Sequence, residues 1–128
     1  MQNNFLIIIF VGLGGAFGSI LRFYAVVYVQ KLEYSTFPLG ILFVNLFGSF
    51  LIGILYGCFS TYEISTTVKA FLISGFLGGL TTFSTFALDS YLLLNSSLSY
   101  AILNITLNLF GSIFFVFLGL KIVLFFIK

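Results

Sequence analysis

The chain has 128 residues, of which 61% are hydrophobic and only 6% charged, and its mean hydropathy is +1.26. A soluble domain carries roughly a quarter charged residues, so this composition describes an integral membrane protein. A net charge of +2 without clustered Lys and Arg leaves no nucleic-acid footprint, and a lone Cys58 with no His rules out an intrachain disulfide and cysteine metal clusters. Every carboxylate falls near a predicted span end, so the usual catalytic pairs are missing and the chain reads as a non-enzyme.

The length suits one membrane domain of four spans at ~20 apolar residues each. The apolar run from Phe5 to Val11 continues past the length of a signal-peptide core, and no basic residue precedes it. It is therefore read as part of a first span over about residues 5–29. Gly14 and Gly18 there have the small-xxx-small spacing that lets helix backbones approach closely. Arg22 lies ~25 Å along the helix from Phe5, near the far interface. It either snorkels to headgroups or places a cation at the mouth of an anion pathway.

The connection from Gln30 to Phe37 holds Lys31, Glu33, Tyr34, Ser35 and Thr36. Pro38 is expected in the first turn of span 2, about 38–58, where its missing N–H does no harm. Asn45 is the only amide in that span and lies ~10 Å deep. It can staple two helices or donate its NH₂ to an anion. Ser60-Thr61-Tyr62-Glu63 has the pattern of a capping box in the following turn.

Span 3, about 66–94, contains the stretch on which the reading turns: Gly75-Phe76-Leu77-Gly78-Gly79-Leu80-Thr81-Thr82-Phe83-Ser84-Thr85-Phe86. Adjacent glycines followed by Thr-Thr weaken helix propensity there. A break at mid-membrane must be buried in protein or line a polar cavity, and such breaks commonly coordinate ions. Phe83 and Phe86 are three apart and share a helical face. Their ring edges carry positive charge that a desolvated anion can meet, although packing is the plainer role in a chain with 19 Phe. Asp89 reads as a solvated carboxylate near the interface.

Span 4 covers about 100–126. Tyr100, Asn104, Asn108 and Ser112 recur every four residues and draw one polar stripe, which cannot face lipid. It is either a hydrogen-bonding track along a permeation path or a helix seam. An even number of spans puts both termini on one face with Lys69, Lys128 and a snorkelling Lys121, against Lys31 and Arg22 opposite. So balanced a distribution gives the positive-inside rule little to act on. The expectation is dual topology, with copies paired antiparallel about a two-fold axis. Four slender helices are also too few to enclose a pore alone.

Gly15-Ala16-x2-Ser19-x2-Arg22, Pro38-Leu39-Gly40-x4-Asn45 and the Gly75–Phe86 stretch resemble the Fluc (CrcB) fluoride channels of bacteria. The resemblance implies an all-α integral membrane fold: four transmembrane helices, with helix 3 broken at mid-membrane, in an antiparallel dual-topology homodimer. Two pores in the bacterial inner membrane would export toxic fluoride passively. It further implies a structural Na⁺ at the dimer interface, held by backbone carbonyls at the positions of Gly78 and Thr81. The pore-lining phenylalanines would be Phe83 and Phe86, the pore asparagine Asn45 and the vestibule arginine Arg22. Ser84 and Thr85 would offer hydroxyls along the path. In span 4 the family's Tyr, Ser, Ser track falls on Asn104, Asn108 and Ser112, so amides replace hydroxyls at the first two positions. The rival readings are a proton-coupled exporter of the small multidrug resistance type, which needs a mid-membrane carboxylate, and a purely structural membrane subunit.

Overall fold

The structure, a computed structural model, describes residues 4–32 and 36–127. Glu33, Tyr34 and Ser35 of the first connection, and Lys128 of the charge balance, lie outside the described residues. Among the described residues every regular element is helical. Helix α1 is Asn4–Lys31 and α2 is Leu39–Thr61. Helix α3 covers residues 66–80: it is α-helical at Thr66–Lys69, widens to a π-helix over Ala70–Leu77, and closes again at Gly78–Leu80. Helix α4 is Phe83–Ser96. Helix α5 is Leu98–Ile127, with a π-helical turn at Leu107–Gly111. Four stretches are long and apolar enough to cross a membrane: α1, α2, Thr66–Ser96 as a whole, and α5.

The helix ends follow local chemistry, with two departures from expectation. Pro38 precedes α2 as its N-cap, with φ −79° and ψ 61°, and its carbonyl accepts from the Leu42 N–H. The ring therefore stands just outside the first turn. The capping box expected at Ser60 does not form. Ser60 and Thr61 still belong to α2, and their hydroxyls fold back onto the Gly57 carbonyl at 2.8 and 3.1 Å. A hydroxyl committed backwards cannot cap the next helix. Ser65, in extended conformation, accepts from the Val68 N–H instead, and Ser97 does the same for Tyr100 at the start of α5.

Packing depends on glycine at two seams. Where α1 crosses α3, a Cβ on Gly18 would overlap the Phe76 carbonyl oxygen, and one on Gly79 would come 2.5 Å from the Gly15 carbonyl oxygen. Where α2 crosses α5, Gly53 sits against the Val116 carbonyl and Gly119 against that of Phe50. Lipid offers no hydrophobic drive for helix association, so backbone proximity and the dispersion it permits hold such pairs together. Buried apolar side chains are few, and Val44, Leu77 and Leu80 cluster where α2 meets the end of α3. Only 11% of the most apolar stretch of α1 and of α5 is buried. Most large apolar side chains thus point outward, as a bilayer solvent demands.

Candidate functional site

Between α3 and α4 the backbone leaves the helix for two residues, Thr81 (φ −86°, ψ 158°) and Thr82 (φ −150°, ψ 114°). Gly78 and Gly79 themselves stay helical. Extended residues inside an apolar segment expose peptide groups that must find partners. Here neighbouring helices supply them. The Thr82 N–H donates to Asn45 Oδ1 at 2.8 Å, and Asn45 Nδ2 donates back to the Thr82 carbonyl at 3.2 Å. One α2 side chain therefore grips both polar groups of one residue. From the other side, Arg22 Nη1 on α1 donates to the Thr81 carbonyl at 3.0 Å. The half-buried guanidinium is thus turned toward the backbone of the interruption.

The helix restarts under its own cap. Thr82 Oγ1 accepts from the Thr85 N–H at 3.3 Å and lies within bonding distance of the Ser84 and Thr85 hydroxyls, at 3.4 and 3.1 Å. Ser84 and Thr85 thus gather around Thr82. Carbonyls at the end of α3 and in the break lose their helical donors in the process, those of Gly78 and Thr81 among them. The N–H four residues beyond Gly78 belongs to Thr82 and is spent on Asn45; the one four beyond Thr81 belongs to Thr85 and is spent on the cap.

A relay of amides leads away from this point. Asn45 Nδ2 donates to Asn108 Oδ1 at 2.8 Å, and Asn108 Nδ2 donates to Asn104 Oδ1 and to the Asn104 carbonyl, both at 3.0 Å. Asn104 Nδ2 donates to Ser90 Oγ at 2.9 Å, and the Ser90 hydroxyl donates to the Phe86 carbonyl at 2.8 Å. Asn45, Asn104 and Asn108 are 9%, 0% and 5% exposed, so the three amides are buried within a single chain. The i, i+4 stripe therefore divides: Asn104 and Asn108 face α2 and α4, while Tyr100 is exposed and sets its ring edge against Phe37.

A cavity of about 490 Å³ opens beside the interruption. Of the expected site residues, Asn45, Gly78, Thr81, Phe83, Phe86, Asn108 and Ser112 line it; Arg22, Ser84, Thr85 and Asn104 do not. Phe83 and Phe86 meet edge to face with centroids 5.3 Å apart, and their burial differs sharply: Phe83 is 73% exposed and Phe86 6%. Among the described residues no carboxylate lines the cavity. Gly48 also contributes, because a Cβ there would overlap the Thr81 Cγ2 methyl group.

Two participants escaped the sequence reading. In the sequence Thr82 reads only as part of the weakened stretch, although Thr is a residue type that N-caps favour. Ser90 gave a fainter sign, a single hydroxyl one turn after Phe86 in an apolar helix.

The chain is similar to known proteins over most of its length. Residues 9–120 match the family model described as CrcB-like protein, Camphor Resistance (CrcB). A protein of Campylobacter fetus named fluoride-specific ion channel FluC is 46% identical over 122 residues, covering 94% of this chain and 95% of the relative. Like-named proteins of Nitratiruptor sp. and Shewanella woodyi are 50% and 44% identical, over 82% and 95% of this chain and 82% and 97% of their own lengths. With four helices long enough to span and relatives of this kind, this is a multi-pass membrane protein. The match spans nearly the whole chain, including the interrupted helix and its asparagine clamp: the protein belongs to the CrcB-like family.

Proposed function

We propose that the chain is a fluoride-selective channel that passively exports fluoride across the bacterial inner membrane, working as an antiparallel, dual-topology homodimer with two pathways. The observation that carries the reading is the convergence of Asn45, Phe83, Phe86, Asn108 and Ser112 on one cavity beside an interrupted helix. The interruption falls halfway along the 31-residue stretch Thr66–Ser96, which fits a mid-membrane position. The relatives' names supply the ion.

The chemistry follows from fluoride's size and hydration. A pore for it must replace water with several weak donors, since one tight cage would not release the ion. The Ser112 hydroxyl and the edges of the two phenyl rings are donors of that kind. The Asn45 and Asn108 amides spend their N–H groups inside the chain, so they contribute to the path mainly by the surface they hold in place. The exposed ring of Phe83 and the open side of the cavity would be covered by a second copy of the chain.

Gly78 and Thr81 suit the Na⁺ role. Both line the cavity, both have carbonyls released from their helical donors, and oxygen ligands match a hard cation. Two such carbonyls from each of two chains would make a shell of four, and the bound charge would raise the potential for nearby anions. Thr81 O already takes one N–H from Arg22, which leaves it a second lone pair. A proton-coupled exporter is disfavoured because coupling needs a carboxylate in the path. The test is ion efflux from liposomes carrying purified protein: fluoride should leave without a proton gradient while chloride stays. Equal release of the two ions, or none of fluoride, would overturn the proposal.

A further inference from the structure

The amide relay has an internal logic that assigns it a task. Followed by its donors, it starts at the Thr82 N–H and passes through Asn45, Asn108, Asn104 and Ser90 to the Phe86 carbonyl. It thus leaves α4 at its cap and returns to α4 one turn later, having crossed α2 and α5. Each amide accepts through its oxygen from the residue before and donates through its nitrogen to the residue after. Reversing Asn45 or Asn108 would set N–H against N–H and oxygen against oxygen in a buried, low-dielectric place, and reversing Asn104 would set its N–H against that of Asn108 and draw the Ser90 hydroxyl off the Phe86 carbonyl. The orientation in which Asn45 grips Thr82 is therefore the one that Asn108 also requires, and the orientation of Asn108 is the one that Asn104 requires. Asn108 Nδ2 also holds the Asn104 carbonyl, on the turn that leads into the π-helical stretch of α5.

We propose that Asn104 and Asn108, with Ser90, are positioning residues: they lock the Asn45 amide in the orientation that grips Thr82, so that α5 sets the geometry of the interrupted helix. Asn104 carries the argument most clearly. It is fully buried, does not line the cavity, and can affect an ion there only through its neighbours. The stripe in α5 is then a built strut, of which only Asn108 and Ser112 reach the cavity wall.

The test follows hydrogen exchange of the Thr82 amide by NMR in lipid nanodiscs, together with fluoride efflux. The flux arm rests on the fluoride reading, whereas the exchange arm does not. Replacing Asn104 by Ala should speed Thr82 exchange about tenfold, the equivalent of one buried hydrogen bond, and lower fluoride flux, while exchange in α1 stays unchanged. Ser90→Ala removes a single oxygen and guards against a variant that fails to fold; it should shift Thr82 exchange the same way by about threefold. Wild-type exchange at Thr82 in either folded variant overturns the proposal. So does a wild-type Thr82 amide with no protection. If flux falls with Thr82 exchange unchanged, Asn104 acts by some other route and the proposal fails. If wild-type protein passes no fluoride, the functional reading fails and the exchange result alone decides the positioning role.

Discussion

Substituting Gly48 by Ala probes the interrupted helix without replacing Asn45 or Arg22, the side chains that bond its backbone. The added Cβ overlaps the Thr81 Cγ2 methyl group, with the Thr81 Cβ at 3.8 Å and no main-chain atom among its close contacts. Relief requires Thr81 to rotate about χ1, which takes its hydroxyl off the Leu77 carbonyl, now 2.9 Å away. Losing that bond costs about 0.6–1 kcal/mol in a membrane protein. Replacing glycine inside α2 returns about 1 kcal/mol of helix propensity. The two effects nearly cancel, so Gly48→Ala should leave unfolding stability within about 1 kcal/mol of wild type. Gly53→Ala, in the same helix, differs because its Cβ would meet the Val116 carbonyl oxygen and come 3.0 Å from the Leu120 N. Backbone cannot rotate away, and overpacking of this kind costs about 1–3 kcal/mol or more against the same propensity gain. Unfolding in mixed micelles gives the stabilities, and liposome efflux gives the function. Gly48→Ala should keep its fold and lose fluoride flux, because the residue displaced lies in the interruption itself. Equal destabilisation by the two substitutions would refute the claim that only a methyl group yields at Gly48. Wild-type flux from Gly48→Ala would refute the claim that the Thr81 conformation matters.

Phe83 and Phe86 should separate stability from transport. Phe86→Ala empties a buried site and should cost about 3–5 kcal/mol in unfolding experiments, while Phe83→Ala should cost a single chain under about 1 kcal/mol and still reduce flux. Arg22→Gln removes a positive charge from the Thr81 carbonyl. Charges ~5 Å apart at an effective dielectric of ~20 repel by ~3 kcal/mol, of which screening leaves about 1. Thermal unfolding against Na⁺ concentration should therefore show about fivefold tighter Na⁺ stabilisation in Arg22→Gln; unchanged or weaker stabilisation would contradict the shared use of that carbonyl.

Some of this architecture is readable along the chain and some is not. The four apolar stretches announce themselves by length alone, and Gly14 and Gly18 mark a seam whose other half, Gly75 and Gly79, lies in the motif of span 3. The Gly75–Phe86 stretch reads as weak helix, yet propensity points to its glycines, and the structure keeps Gly78 and Gly79 helical. The residues that leave the helix are Thr81 and Thr82, because Asn45, 37 residues earlier, offers Thr82 a matched donor and acceptor. No local pattern carries a bond of that separation. The polar stripe of span 4 is likewise visible, but whether its amides face water or other side chains depends on Ser90 and Asn45, which periodicity in one helix does not reveal. Arg22 shows the same limit: spacing gives its depth, and only the neighbouring helix determines that it turns inward to Thr81.

The central claim, that fluoride passes along the cavity walled by Phe83 and Phe86, is tested most directly by a fluoride electrode following efflux from liposomes. Wild-type protein and the Phe83→Ile/Phe86→Ile double variant would be measured side by side at equal protein density. The account predicts rapid fluoride release by the wild type and none above the protein-free leak by the variant, whose side chains fill similar space without ring edges. Undiminished release by the folded variant would mean that the ion takes another route.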